Sequence, residues 1–518
     1  MAKLIGTTCS TTIMFAQSGP SRKMNMSVFS LENIYRAYLD CRKNKRNKHD
    51  ALEFEFDADE NLFKLCCDLQ NRTYHPSTSV CFINKKPKLR EIFAAHFQDR
   101  VVHHLLVRYL EKIWEPIFIF DSYASRQNKG THLAVKRLKK FTQKVTNNSS
   151  IPAYYMHLDI KNFFLSIDKR VLFELITNRK MHKNMKWLTH VLIFHDPTKD
   201  YELKTSRSLL NKVPAQKSLF GDEDEKGLPI GNLTSQFFAN VYLNGFDQFI
   251  KHELKCRFYM RYVDDFILIH KNKEILNSWK KPIKGYLKNY LNLKINESVT
   301  KIQPISNGID FLGYIVRPKY TLVRRRVINN LKEKLYKYKK ILISNHDNIK
   351  KISYNYEILE NLYMSMNSYL SHMSHANSNN LIKSIFTDYP FLLYYFGLNK
   401  NNKLKRLYVP PRNFRNLRSQ YYYFLKQNIG NIIFFQIGCF YEFFQYQAEF
   451  VSDILNLKMI NPKYSFSNRC GFGVKALYKY VDMVIKSGFS VVIINQTGYY
   501  NNYIAERKIH LRYIVEEK

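Results

Sequence analysis

Apolar positions fall into two patterns along this chain, and each predicts different elements. Arg257–Ile269 reads RFYMRYVDDFILI, two apolar runs set around Asp264 and Asp265. Two adjacent acids spoil a single strand but suit a hairpin, in which both strands enter a core and the turn presents carboxylates. Tyr154–Leu158 is a second apolar run, and Asp159 lies at its end. Helical spacing predicts helices over Leu31–Cys41, Val101–Trp114 and the stretch running to Leu243. It also predicts a basic helix over Arg324–Ile343 and a second over Tyr356–Tyr369, with Leu and Ile on the packing side. Gly397–Ser419, with Pro410-Pro411 and many charges, predicts a linker. Beyond it Ile432–Gly438 and Ser490–Asn495 read as strands, and Tyr480–Lys486 as a helix closed by Gly488. Residues 1–24 show little periodicity, and no internal repeat stands out.

Composition narrows the partner. The chain has 518 residues, with 81 Lys plus Arg against 43 Asp plus Glu, a formal net charge of +38. That excess favours a polyanion, although abundant Lys, Asn and Ile also fit an AT-rich genome. The eight cysteines form no metal-spaced set, so free thiols in a reducing cytosol are expected. No signal-peptide core or membrane-length stretch is present, and the expected setting is the cytoplasm of a bacterium or its phage. His103, His104, His132 and His157 are read as structural or surface residues.

The acids suggest phosphoryl transfer to a growing nucleic acid. Nucleotide addition uses two divalent ions, one at the attacking hydroxyl and one at the triphosphate. Hard ions take oxygen ligands. Asp159 and Asp264 are expected to bridge both ions, with Asp265 supporting and the Ile160 carbonyl facing a metal. Mg2+ is the expected ion, with Mn2+ a substitute in vitro. The plain alternative is a solvated acidic turn. Lys88 and Arg90 lie in a basic stretch able to clamp a triphosphate, Arg as a planar fork and Lys as a point charge. Gly227 and Gly231 are expected to let backbone approach the nucleotide. Ile230 would pack against the incoming pair without hydrogen bonding, or be a core residue. Ser235 and Gln236 would meet template or sugar groups. The acidic run Asp222–Glu225 is expected to form a loop.

Leu158–Phe164, reading LDIKNFF, and the later YVDD of Tyr262–Asp265 resemble palm motifs of reverse transcriptases. In Lys226–Gln236, Ile230-Gly231 stands where group II intron and retron enzymes carry Gln-Gly. This pattern resembles the reverse transcriptases of diversity-generating retroelements, over roughly residues 25 to 390. Asp310–Tyr314 resembles the primer grip, at Gly313, with Lys301 before it. Phe120–Arg126 resembles a fingers motif that places Ser125 and Arg126 on nucleic acid. The resemblance makes Arg90 the fingers arginine, and Arg324 and Arg325 would contact duplex phosphates. It implies an α+β right-hand polymerase fold: N-terminal helices and fingers over 25–150, palm over 151–316, thumb over 317–396, linker over 397–419. The implied activity is an RNA-directed DNA polymerase that copies a template-repeat RNA into adenine-mutagenised cDNA. Its partners would be template RNA, a DNA or RNA primer, the RNA-DNA duplex, dNTPs and a small basic accessory protein, with no membrane. A defence-associated or group II intron-like enzyme and an inactive nucleic-acid-binding protein are the alternatives.

FFQIGCFYEFF, Gly473–Gln496 and Glu506-Arg507-Lys508 resemble the mismatch-recognition domain of MutS proteins, a small α/β module over 420–518. The resemblance implies that Phe440 wedges into a mismatched duplex and that Glu442 hydrogen-bonds the displaced base. Cys439 departs from the Asp common there, and the sequence shows no phosphate loop of an ATPase. The alternative is a core aromatic at Phe440 and a module that docks a protein.

Overall fold

A computed structural model describes residues 27–43, 45–85, 89–221, 225–411, 414–460, 468–501 and 503–516. Lys88 and the acids 222–224 lie outside the described residues. The chain divides into two compact units: residues 1–134 with 153–303, and residues 135–152 with 304–518.

The first unit is built on a four-stranded sheet, in the order Phe258–Tyr262, Asp265–His270, Tyr154–Asp159, Lys301–Pro304. The first two strands form the expected hairpin, with Tyr262 paired to Asp265 across a two-residue turn of Val263 and Asp264. Asp265 also pairs with Asp159 on the neighbouring antiparallel strand. The hairpin is buried on both faces, with Tyr259, Met260 and Arg261 and then Phe266 to Ile269 each at most 1% exposed, as a continuous apolar run inside a covered sheet requires. The helix Leu233–Gln248 is buried on nearly every side. Its core is continuous with Val101, Leu105 and Leu106 of the helix Phe97–Trp114 and with Ile34 and Leu65 of the N-terminal helices. A second sheet, ordered Arg90–Ala94, Ser79–Asn84, Tyr201–Leu203, carries Arg90.

The second unit holds a seven-stranded sheet. The strand Ile432–Ile437 lies between Val491–Asn501, to which it is parallel, and Phe440–Phe444, to which it is antiparallel. The helices Tyr446–Leu455 and Leu477–Lys486 complete the α/β module. The helices Arg325–Leu342 and Tyr356–Met373 form where expected. Between them lies a hairpin that the helical periodicity did not announce, Ile343–His346 with Ile349–Ser353. Its second strand pairs with Ile504–Val515, Ile349 opposite Val515 and Ile352 opposite Arg512. One core runs from Leu342, Ile352 and Leu359 to Phe435, Phe444 and Ile494. The module therefore shares its sheet with this hairpin and its core with the preceding helices.

The segment expected as a linker is structured over much of its length. It contains most of a two-stranded ladder, Phe396–Leu398 with Leu404–Arg406. Tyr408 is 2% exposed. Its hydroxyl donates to Glu360 at 2.8 Å, and Arg406 pairs with the same carboxylate at 2.7 Å. Arg406 and Tyr408 thus fasten this stretch to the helix Tyr356–Met373. No helix among the described residues is long and apolar enough to cross a membrane.

Candidate active site

The sharp turn at the tip of the first hairpin sets the site. Val263 has φ of 55°, a left-handed conformation that is costly for a β-branched residue. What holds it lies directly beneath. Arg261 and Asp247 form an ion pair with both side chains 0% exposed, closest at 2.7 Å. Arg261 also donates to Asn240 Oδ1 and to the Val263 carbonyl, each at 3.1 Å. The Tyr259 hydroxyl donates to Asp247 at 2.6 Å. The turn is thus tied to the helix Leu233–Gln248 by a fully partnered buried network. These residues were not singled out from sequence. The available signal was an arginine inside an otherwise apolar strand, since such a charge must find a buried partner.

Asp159, Ile160, Asp264, Arg90 and Ile230 line one cavity. Burial pushes the Asp264 carboxyl up to about 6; its own backbone N–H opposes this, Asp159 and Asp265 add to it, and Arg90 opposes. A buried carboxylate beside two others lacks countercharge, and that is the condition a divalent cation relieves. Asn296 also lines the cavity. Its side-chain amide donates to Asp159 Oδ2 at 3.0 Å and its backbone N–H to the Asp159 carbonyl at 2.8 Å. Asp265 is engaged differently: its carboxylate hydrogen-bonds His157 on the adjacent strand. No group of three or more Asp, Glu, His or Cys among the described residues is disposed to hold a metal as it stands. The oxygen donors of Asp159 and Asp264, left short of countercharge, nonetheless fit Mg2+.

Several expected contacts are placed elsewhere. Gly231 has φ of 131°, and a Cβ there would stand 2.8 Å from the Phe93 carbonyl. The clearance it provides is for strand Arg90–Ala94, since Phe93 N–H also donates to the Ile230 carbonyl at 2.9 Å. Gly227 likewise packs on Leu165 and Leu219. Ser235 is 3% exposed and faces the packed interior, whereas Gln236, one helical step on, is exposed. Gln236 accepts from the Ser125 hydroxyl at 2.6 Å, which joins two residues both assigned to nucleic acid. Arg126 is consumed by the protein: it donates to Glu115 at 2.8 Å and to the carbonyls of Ile119 and Ser122 at 2.7 and 3.0 Å. Lys301 is exposed at the start of its strand.

In the second unit Gly313 sits with Leu312 in a two-residue turn, φ 89° and 51°, the pattern of a type I′ hairpin. Arg324 pairs with Asp310 at 3.0 Å, and Arg325 is exposed at the helix start. Phe440 is 54% exposed, so it is not a core aromatic. It follows the Gly438–Cys439 turn, and Glu442 lies two residues on along the same strand. Glu442 is half-buried, with Arg469 Nη1 at 3.5 Å. Burial raises its carboxyl, opposed by Arg469 and Arg507.

Residues 83–316 match the family model for reverse transcriptase (RNA-dependent DNA polymerase). Residues 416–515 match MutS domain I. Protein YkfC of Escherichia coli is 24% identical over 289 residues, covering 49% of this chain and 71% of that protein. The group II intron-encoded protein LtrA of Lactococcus lactis is 22% identical over 351 residues. That alignment covers 54% of either chain, so this chain spans about half of LtrA. Apo telomerase from Candida tropicalis aligns at a TM-score of 0.34 and 15% identity, over 48% of this chain and 55% of that one. The chain carries an N-terminal reverse-transcriptase domain, a nucleotidyltransferase domain, fused to a C-terminal MutS domain I module.

Proposed function

We propose that the chain is a template-directed RNA-dependent DNA polymerase whose MutS-like module monitors the duplex it makes. The observation that carries this reading is the single cavity that gathers Asp159, Asp264 and Arg90. Bound divalent ions would activate the primer hydroxyl and neutralise the leaving pyrophosphate. The protein's share is positional: Asp159 is fixed by Asn296, Asp264 by the Arg261 network, and Asp265 by His157. Arg90 offers two parallel donors to a triphosphate. In a right-hand arrangement the strand Arg90–Ala94 acts as fingers, the four-stranded sheet as palm, and Arg325–Leu342 as thumb.

Two finer readings divide on one residue. The likeness to LtrA favours a group II intron-like enzyme. Ile230, half-buried in the cavity wall, favours a diversity-generating one, because an aliphatic side chain cannot hydrogen-bond at the incoming pair. Exposed Phe440 fits insertion at a weakly stacked mispair, with Glu442 beside it.

Primer extension by the purified chain with Mg2+ and an RNA template, every product sequenced, tests the reading. DNA synthesis is expected. Errors concentrated opposite template adenines establish the mutagenic form, and accurate copying establishes the intron-like one. Absence of synthesis with cognate RNA and accessory protein overturns the polymerase reading.

A further inference from the structure

The wall of the catalytic cavity includes a side chain that no motif marked. Lys217 lines it together with Asp159, Asp264 and Arg90. It lies in a short turn, Ala215–Lys217, within the long stretch between the LDIKNFF and YVDD motifs. A lysine on an exposed turn ordinarily wanders, but this turn is clamped from two sides. On one side Asn162, three residues after Asp159, donates its amide to the Gln216 carbonyl at 2.8 Å. On the other, Glu91, next to Arg90, accepts from the Ser218 hydroxyl at 2.6 Å and from the Leu219 N–H at 2.9 Å. Glu91 is 5% exposed. A buried carboxylate committed to two donors of one loop is a strong local tether.

Lys217 is therefore held between Asn162, three residues after the catalytic aspartate, and Glu91, the residue that follows the nucleotide-clamping arginine. We infer that Lys217 is a further cationic contact for the incoming nucleoside triphosphate, with Glu91 and Asn162 as its positioning residues. The inference rests on the polymerase reading. The chemistry is that of a compact ammonium, which binds phosphate as a point charge from any approach. Two carboxylates and two cations lining one cavity suit a metal-bound triphosphate, which carries both kinds of group.

Primer extension at varied dNTP concentration tests this with the full chain. Lys217→Ala is expected to raise the dNTP KM roughly 10-fold, the worth of one charge-assisted contact, with a much smaller fall in kcat. Lys217→Arg should restore most of the loss. Glu91→Gln should raise the same KM without changing affinity for the RNA template. An unchanged dNTP KM in Lys217→Ala, or a loss confined to template affinity, overturns the assignment. If the wild-type chain makes no DNA, the polymerase reading is what fails. Equilibrium binding of a fluorescent dATP in Ca2+ then still decides Lys217: equal affinity of wild type and Lys217→Ala refutes the contact.

Discussion

Two hairpin turns carry the residues that matter most, and they are built in opposite ways. The Val263–Asp264 turn sits on a buried guanidinium, a buried carboxylate and a buried phenol, all mutually partnered. The Gly438–Cys439 turn, which leads into Phe440, is itself held by neutral amides, with buried Arg507 reaching only the strand before it, at the Gln436 carbonyl. Gln496 accepts from the Gly438 N–H at 3.0 Å, and Gln436 accepts from the Gln496 N–H at 2.9 Å. The difference follows from what each turn presents. A carboxylate in a half-dry cavity must be fixed against its own repulsions, so the support is charged, buried and inflexible. An apolar ring needs only to stand clear of the sheet, and modest hydrogen bonds suffice.

The largest expected effect separates charge from shape at the first turn. Asp264→Asn should lower primer extension on the order of 1,000-fold. Its stability should be unchanged or higher, because burial already disfavours the charged form. Loss of folding in that variant would make the acid structural. Next comes the support: Asp247→Ala leaves Arg261 buried and unpaired and should cost about 3–5 kcal/mol in denaturant unfolding. A cost near that of a surface ion pair would erase the contrast between the turns. At the second turn Phe440→Ala should weaken binding to a mismatched duplex roughly 10-fold, leaving matched duplex and stability nearly unaffected. Equal losses on both duplexes would remove the wedge. The smallest effect is Gln496→Ala, about 1 kcal/mol of stability, the net worth of an ordinary hydrogen bond.

Much of the candidate site's backbone geometry was legible because it is local. An acid pair between apolar runs points to a turn, and an aspartate closing an apolar run points to the end of a strand. What stayed hidden was long-range partnership. Arg126 reads as a free cation until Glu115, just past the end of the preceding helix, takes its guanidinium. Gly231 reads as clearance for a ligand, but the body that approaches it is the backbone of Phe93. Asn296 and Lys217 carry no pattern of their own. They acquire meaning only when the chain returns to Asp159 after a long excursion. The Pro410-Pro411 stretch misled for the same reason, since the partners of Arg406 and Tyr408 lie in an earlier helix.

The strand pairing of Ile349–Ser353 with Ile504–Val515 has a bearing on how such a fusion can be cut and rejoined. A boundary drawn where the MutS match begins, at residue 416, would leave the preceding hairpin with a bare, half-apolar edge, which invites aggregation. The natural seam for a graft lies instead before Ile343. A chimera carrying the module to another polymerase must take the hairpin with it, because without it the last strand keeps Val491–Asn501 on one side and is left with a bare edge on the other.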